Sequence, residues 1–252
     1  MLTQTFVHVP GIGRRTERHL WKQGCRDWDA LLADPHRYSV GSASRQVAVQ
    51  TIAGSARALR DRHHQFFASA LRATETWRAW HDFRDSCVYL DIETDGRNSG
   101  DCITVIGLYD GQNFEALVKG EGLETFRDRI SHYSMIVTFF GSGFDLPVLT
   151  KRFNMRFDQI HLDLCPTLRK MGIRGGLKKI EKQLGIDRGE GLEGLNGYDA
   201  VQLWRRYLRG SDPALETLIA YNREDVVNLE RIAEYTYREM RRATVGDQLC
   251  LF

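Results

Sequence analysis

The chain has little that would tie it together covalently or hold it in a membrane. Its five cysteines, Cys25, Cys87, Cys102, Cys165 and Cys250, are scattered, odd in number and without a Cys-x-x-Cys pair. That pattern argues against a disulfide framework or a thiolate zinc site and fits a reducing, cytoplasmic setting. The apolar runs, such as residues 135–140, fall far short of the roughly 20 residues of a membrane helix. The first 13 residues hold no basic stretch followed by a long apolar one, so no secretory signal is expected. Internal repeats and low-complexity tracts are also missing.

What remains is an ordinary globular composition: 252 residues, 42% hydrophobic and 27% charged. This allows one large domain or two small ones with a substantial core, and argues against disorder. The net charge of +2 is unevenly spread. Residues 1–80 carry 12 Lys+Arg against 6 Asp+Glu, and residues 81–252 carry 23 against 27. A basic N-terminal part beside an acidic body suits a polyanion-holding element next to a carboxylate-rich site, or simply a solvated helical surface.

The pattern divides the chain near residue 80. Before it the spacing is helical: residues 16–23 with Leu20 and Trp21 as anchors and Gly24 as a stop, a short helix at 28–32, and one or two helices over 45–83. From about residue 85 strands appear, at 88–92, 103–109 and 114–119, with Asp110-Gly111 marking a hairpin turn. A helix is expected over 123–130, an apolar strand over 135–140 and a short strand over 160–162. Residues 166–242 read mostly as helix, interrupted at 172–176 and 187–197. A strand meander followed by alternating helices and strands predicts a mixed α/β sheet with helices on both faces.

Asp91 and Glu93 are the most informative pair. They end an apolar run, and residues at i and i+2 on a strand share a face about 6–7 Å apart, with Ile92 turned into the core. Two such carboxylates repel each other unless they are solvated at an exposed strand tip or neutralised by a divalent cation. In Phe139-Phe140-Gly141-Ser142-Gly143-Phe144-Asp145-Leu146-Pro147, a strand runs into a glycine-rich turn and then a helix. Such turns are where α/β sheets place ligands, although Asp145 is also suited to capping that helix. Tyr221 and Asp225 stand at i and i+4, on one face of a late helix, beside an apolar stripe of Val226, Leu229 and Ala233.

Taken in order, Asp91-Ile92-Glu93-Thr94, Gly143-Phe144-Asp145-Leu146-Pro147 and Tyr221-Asn222-Arg223-Glu224-Asp225 resemble the motifs of the DEDD superfamily of 3′→5′ exonucleases, DEDDy subclass. Ile160-His161-Leu162-Asp163-Leu164 and Gly175-Gly176-Leu177-Lys178-Lys179-Ile180-Glu181 further resemble the YprB-type ribonuclease H-like proteins. The resemblance spans residues 87–235. It implies a ribonuclease H-like fold over residues 81–252 and hydrolysis of phosphodiesters with two divalent ions, Mg²⁺ or Mn²⁺. It also implies that Asp91 bridges both ions, that Glu93, Asp145 and Asp225 complete the shell, and that Tyr221 orients the attacking water. A phenol pKa near 10 makes Tyr221 a positioning group rather than a base. Asp163 reads as a helix cap or supporting residue.

Residues 1–80 contain Val9-Pro10-Gly11-Ile12-Gly13-Arg14-Arg15, which resembles a helix-hairpin-helix turn. The resemblance implies that backbone amides around Gly11 and Gly13 grip a phosphate, with Arg14, Arg15 and Arg18 adding salt-dependent attraction. A helical pair that only packs on the rest of the chain is the alternative. Lys178 and Lys179 open a helix behind two glycines, as a phosphate contact or a solvated helix face. Residues 188–198, with four glycines, are expected to form a mobile loop near the cleft. The expected substrate is single-stranded DNA or RNA with a 3′ end. A catalytically silent nucleic-acid-binding protein and a structure-specific endonuclease are the competing readings.

Overall fold

The computed structural model describes residues 1–97, 101–189 and 194–246. A helical layer comes first. It has a 3-10 turn at Leu2–Gln4, α1 (Arg14–Lys22), α2 (Trp28–Ala33), α3 (Arg45–Arg60) and α4 (His64–Ala70), then a 3-10 turn at Thr76–Ala79 leading into α5 (Trp80–Phe83). α1 begins two residues earlier than the apolar spacing indicates, because Gly13 takes the extended N-cap conformation before it. The stretch 45–83 breaks into more pieces than expected, with Arg62 (φ 54°) turning the chain between α3 and α4.

The sheet follows: β1 (Cys87–Thr94), β2 (Ile103–Tyr109) and β3 (Phe114–Val118) form an antiparallel meander. Asp110 closes its hairpin by accepting the N–H groups of Gln112 (2.9 Å) and Asn113 (2.7 Å). α6 (Phe126–Ser131) leads to β4 (Met135–Thr138), and α7 (Asp145–Phe153) leads to β5 (Ile160–Asp163). These two strands add in parallel, giving the order β3-β2-β1-β4-β5. β4 stops at Thr138, short of the apolar run's end, because Phe140 takes a left-handed turn (φ 67°). The remainder is helical: α8 (Leu164–Lys170), α9 (Leu177–Leu184), α10 (Gly197–Tyr207) and the 34-residue α11 (Asp212–Val245). A five-stranded mixed sheet flanked by helices is the α/β, ribonuclease H-like class expected from the pattern.

Strand alternation sorts the core. Val88, Leu90 and Ile92 pack with Ile106, Ile136, Phe126 and Leu149 on one face. Tyr89, Val137 and Leu162 pack on the other, in a cluster shared with the N-terminal helices and with Val226, Leu229 and Ile232 of α11. Each such buried aliphatic side chain contributes about 1.5–3 kcal/mol. The stripe on α11 therefore sets its rotation over the sheet, and with it the direction in which Tyr221 and Asp225 point. Among the described residues, no helix is long and apolar enough to cross a membrane.

A buried ion network holds the N-terminal layer together. The Arg78 guanidinium donates to Glu17 (3.0 and 2.9 Å), Glu75 (2.8 Å) and Thr5. Glu17 also accepts the N–H groups of Phe6 (2.7 Å) and Val7 (3.3 Å), and Glu75 pairs outward with Arg14. Four charges of balanced sign thus hold α1, the segment before it and the Thr76–Ala79 turn together.

Candidate active site

Asp91 and Glu93 lie side by side at the C-terminal end of β1, and Ile92 between them is buried in the opposite core. Glu93 is 7% exposed and Asp91 half-buried, so Glu93 at least is not solvated at a strand tip. Asp225 enters from α11, and carboxylate oxygens of Asp91, Glu93 and Asp225 all lie within 4.8 Å of one another. Asp145 opens α7 but does not cap it: its Oδ1 instead accepts the N–H of Ile92 (3.1 Å), which places it against β1.

Two residues outside the sequence reading hold this arrangement. Asn222 donates from Nδ2 to the Asp91 carboxylate (3.0 Å), tying α11 to β1. It can come so close because Gly107, opposite Asp91 in the β2 register, has no side chain. A Cβ there would lie 1.9 Å from Asn222 Oδ1. A glycine directly after the β-branched run of residues 103–106, still within the expected strand 103–109, was the available signal, since a strand glycine often marks a close approach.

Burial removes these acids from water, and their mutual repulsion adds to the cost of ionising them. Asp91 is held well above the usual carboxylate range by desolvation and then by Asp145, Asp225 and Glu93. Desolvation, reinforced by Asp225, pushes Glu93 up to about 8. Burial likewise raises Asp145 to about 7 and Asp225 to about 6, the last restrained by Arg188. Arg188 pairs with Asp225 and is held in turn by Glu181 (2.7 and 2.8 Å), whose Oε1 also accepts from Asn228 (2.9 Å). Asp225 is 37 residues from Arg188, and no spacing rule joins it to the Glu181–Arg188 pair.

The donor set suits a hard divalent cation. It consists of carboxylate oxygens, and Glu93 Oε1 is buried without any hydrogen-bond partner. A family model described as the RNase_H superfamily matches residues 88–237. The chain belongs to the RNase H superfamily. No curated protein and no solved structure matches it. Membership brings a nuclease-type, metal-dependent activity on nucleic acid.

Around this RNase H-like site stand the remaining candidates. Tyr221 is one helical turn before Asp225, largely buried, with Lys178 Nζ 4.5 Å from its ring centroid and the Arg188 guanidinium 5.8 Å away. Burial, then the carboxylates of Asp225, Glu93 and Asp91, push its phenol above its ordinary range, so it stays protonated. Lys178 Nζ is buried without a hydrogen-bond partner and faces the acids, whereas Lys179 is exposed. Asp163 caps α8 through Cys165 N–H (3.1 Å) and also accepts the N–H groups of Phe140 (2.8 Å) and Ser142 (3.0 Å), fixing the glycine-rich turn.

The N-terminal turn belongs to the helical layer before the sheet. Gly11 (φ 84°) follows Pro10 in a turn closed by Ile12 N–H to Val9 O (3.0 Å), and Gly13 precedes α1. Arg14 is paired with Glu75, while Arg15 and Arg18 line a cleft of ≈ 440 Å³ with His19 and Lys22. Of the glycine-rich stretch 188–198, residues 190–193 lie outside the described residues.

Proposed function

We propose that this protein is a two-metal 3′→5′ exonuclease of the DEDDy type, kin to the YprB-type proteins, releasing nucleoside monophosphates from single-stranded DNA or RNA. The observation that supports this reading is the company Tyr221 keeps. A protonated phenol stands one turn from Asp225, at the edge of a buried group of carboxylates. Asp91, Glu93, Asp145 and Asp225 would hold the ions, Mg²⁺ or Mn²⁺. Bound there, such ions supply Lewis acidity to a phosphoryl group and ease deprotonation of water.

The chain's own residues do the rest. Tyr221 donates a hydrogen bond that orients the attacking water, since its phenol holds its proton too tightly to act as a base. Asn222 keeps the Asp91 carboxylate aimed at the site. Arg188 restrains Asp225, and Lys178 offers a cation to the incoming phosphate. Residues 1–80 form an appended element that holds nucleic acid through Gly11, Gly13, Arg14 and Arg15, beside the catalytic unit of residues 81–252.

The test is a time course on 5′-labelled single strands of DNA and of RNA with Mg²⁺ or Mn²⁺. A ladder shortening from the 3′ end, absent in folded Asp91→Ala protein, is expected. No metal-dependent product from either polymer would overturn the reading.

A further inference from the structure

Phe140 is a bulky residue in the left-handed region (φ 67°), where glycine and asparagine are the usual occupants. Its ring is not tucked into the core: the residue is 50% exposed. The turn that presents it is nonetheless tightly held. Asp163 accepts the N–H of Phe140 and of Ser142, Gly141 N–H donates to Thr138 Oγ1 (3.2 Å), and Thr138 Oγ1 meets His161 Nε2 (2.8 Å). The ring lies across Gly143, where a Cβ would stand 2.5 Å from its Cζ. Backbone strain that the surroundings enforce, ending in an exposed aromatic, has no packing benefit to explain it.

The surroundings of the ring supply one. Phe140 forms a wall of a cleft of ≈ 780 Å³ whose other walls include Arg169, Arg174, Gly175 and Gly176. Both arginines are exposed, and no described acidic residue lines the cleft. The chain leads from both rims of the cleft toward the acid site. Its Phe140 rim runs through the turn to Asp145, and its Gly176 rim opens α9, where Lys178 lies over Tyr221. An exposed aromatic face beside two cations with no ion-pair partner among the described residues, on segments that lead to a polynucleotide hydrolase site, matches a nucleobase with its flanking phosphates.

We propose that this cleft is a nucleotide subsite for single-stranded nucleic acid, in which the Phe140 ring stacks on a base adjoining the nucleotide being released and Arg169 and Arg174 hold its phosphates. The proposal rests on the polynucleotide-hydrolase reading and deepens it. It makes Phe140 a determinant of the preference for unpaired strands, because a base within a duplex has no free face to offer.

The test uses the full chain in an Asp91→Asn background, so that bound strand is not cut, with a fluorescein-labelled ten-residue oligothymidylate as probe. Phe140→Asn tolerates the same backbone while removing the ring, and should weaken binding about tenfold, within the range of single stacked bases. Phe140→Trp should bind within about twofold of the parent, because stacking is retained. Arg169→Gln with Arg174→Gln should flatten the slope of log affinity against log salt by about 1.4. Phe140→Asn binding as tightly as its parent, or a parent that binds no oligothymidylate, would overturn the subsite. Wild-type protein that fails to cut while the Phe140 series behaves as expected would instead sink the exonuclease reading and leave the subsite standing.

Discussion

Within the N-terminal layer, Arg78 and Arg14 face Glu17 and Glu75, and every carboxylate oxygen of the two glutamates has a donor. At the end of β1, Asp91, Glu93, Asp145 and Asp225 crowd together, with Arg188 shared between Asp225 and Glu181 and one Glu93 oxygen bare. The first group is neutral as a unit and serves as a fastening. The second has more carboxylates than cations, and ionising them is a cost to the fold unless metal ions arrive. Burial pushes carboxylates up in both places; Arg78 pulls Glu17 back, whereas the β1 acids raise one another further. Buried charge thus marks structure where it is matched and function where it is left over.

Substitutions separate the two groups. Asp91→Ala is expected to lower nuclease activity by about a thousandfold or more, yet to raise the melting temperature of chelator-treated protein, because a repelling carboxylate is gone. A lower melting temperature would erase the contrast drawn here. Arg78→Met should do the reverse: a loss of about 3–5 kcal/mol in urea unfolding, from leaving Glu17 buried and unmatched, with turnover per folded molecule retained at low temperature. Gly107→Ala belongs between the two. It should cost about 1–3 kcal/mol by overpacking against Asn222 and, through displaced Asp91, about a hundredfold in turnover. Tyr221→Phe should lower turnover about tenfold to a hundredfold without changing the Mg²⁺ concentration for half-maximal rate.

The smallest effect is a pH dependence. Glu93 is raised from an ordinary 4.5 to about 8, so the folded chain binds this proton more tightly than the unfolded one does. The stability this provides is present in full below the unfolded value and is lost as pH rises through about 8. In chelator, the melting temperature of Glu93→Gln should therefore match wild type near pH 4 and exceed it by a growing margin up to pH 8. Saturating Mg²⁺ should close the gap in favour of wild type. A gap independent of pH would show that Glu93 ionises freely.

The chemistry was more legible than the supports. Alternation put Asp91 and Glu93 on one face and Ile92 on the other, and the i, i+4 spacing paired Tyr221 with Asp225, because both depend only on local geometry. The strand 135–140 ran two residues too long in the pattern, since hydrophobicity cannot register the left-handed turn at Phe140. The local sequence favours a solvated face for Lys178; its position over Tyr221 depends on how α9 packs. Asp163 reads from sequence as a helix cap or supporting residue, but its hold on Phe140 and Ser142 requires β5 to lie beside β4.

By itself the sequence determined the order of the strands and the sharing of a face by paired acids. These follow from periodicity and residue chemistry over a few neighbouring positions. Only the tertiary structure decided that the acids are buried together, that Gly107 makes room for Asn222 to hold Asp91, and that Arg188 spans Glu181 and Asp225. Those outcomes join residues tens of positions apart, and they are set by how the apolar stripe of α11 seats itself on the sheet, where the burial of Val226, Leu229 and Ile232 outweighs the repulsion of the carboxylates it brings together.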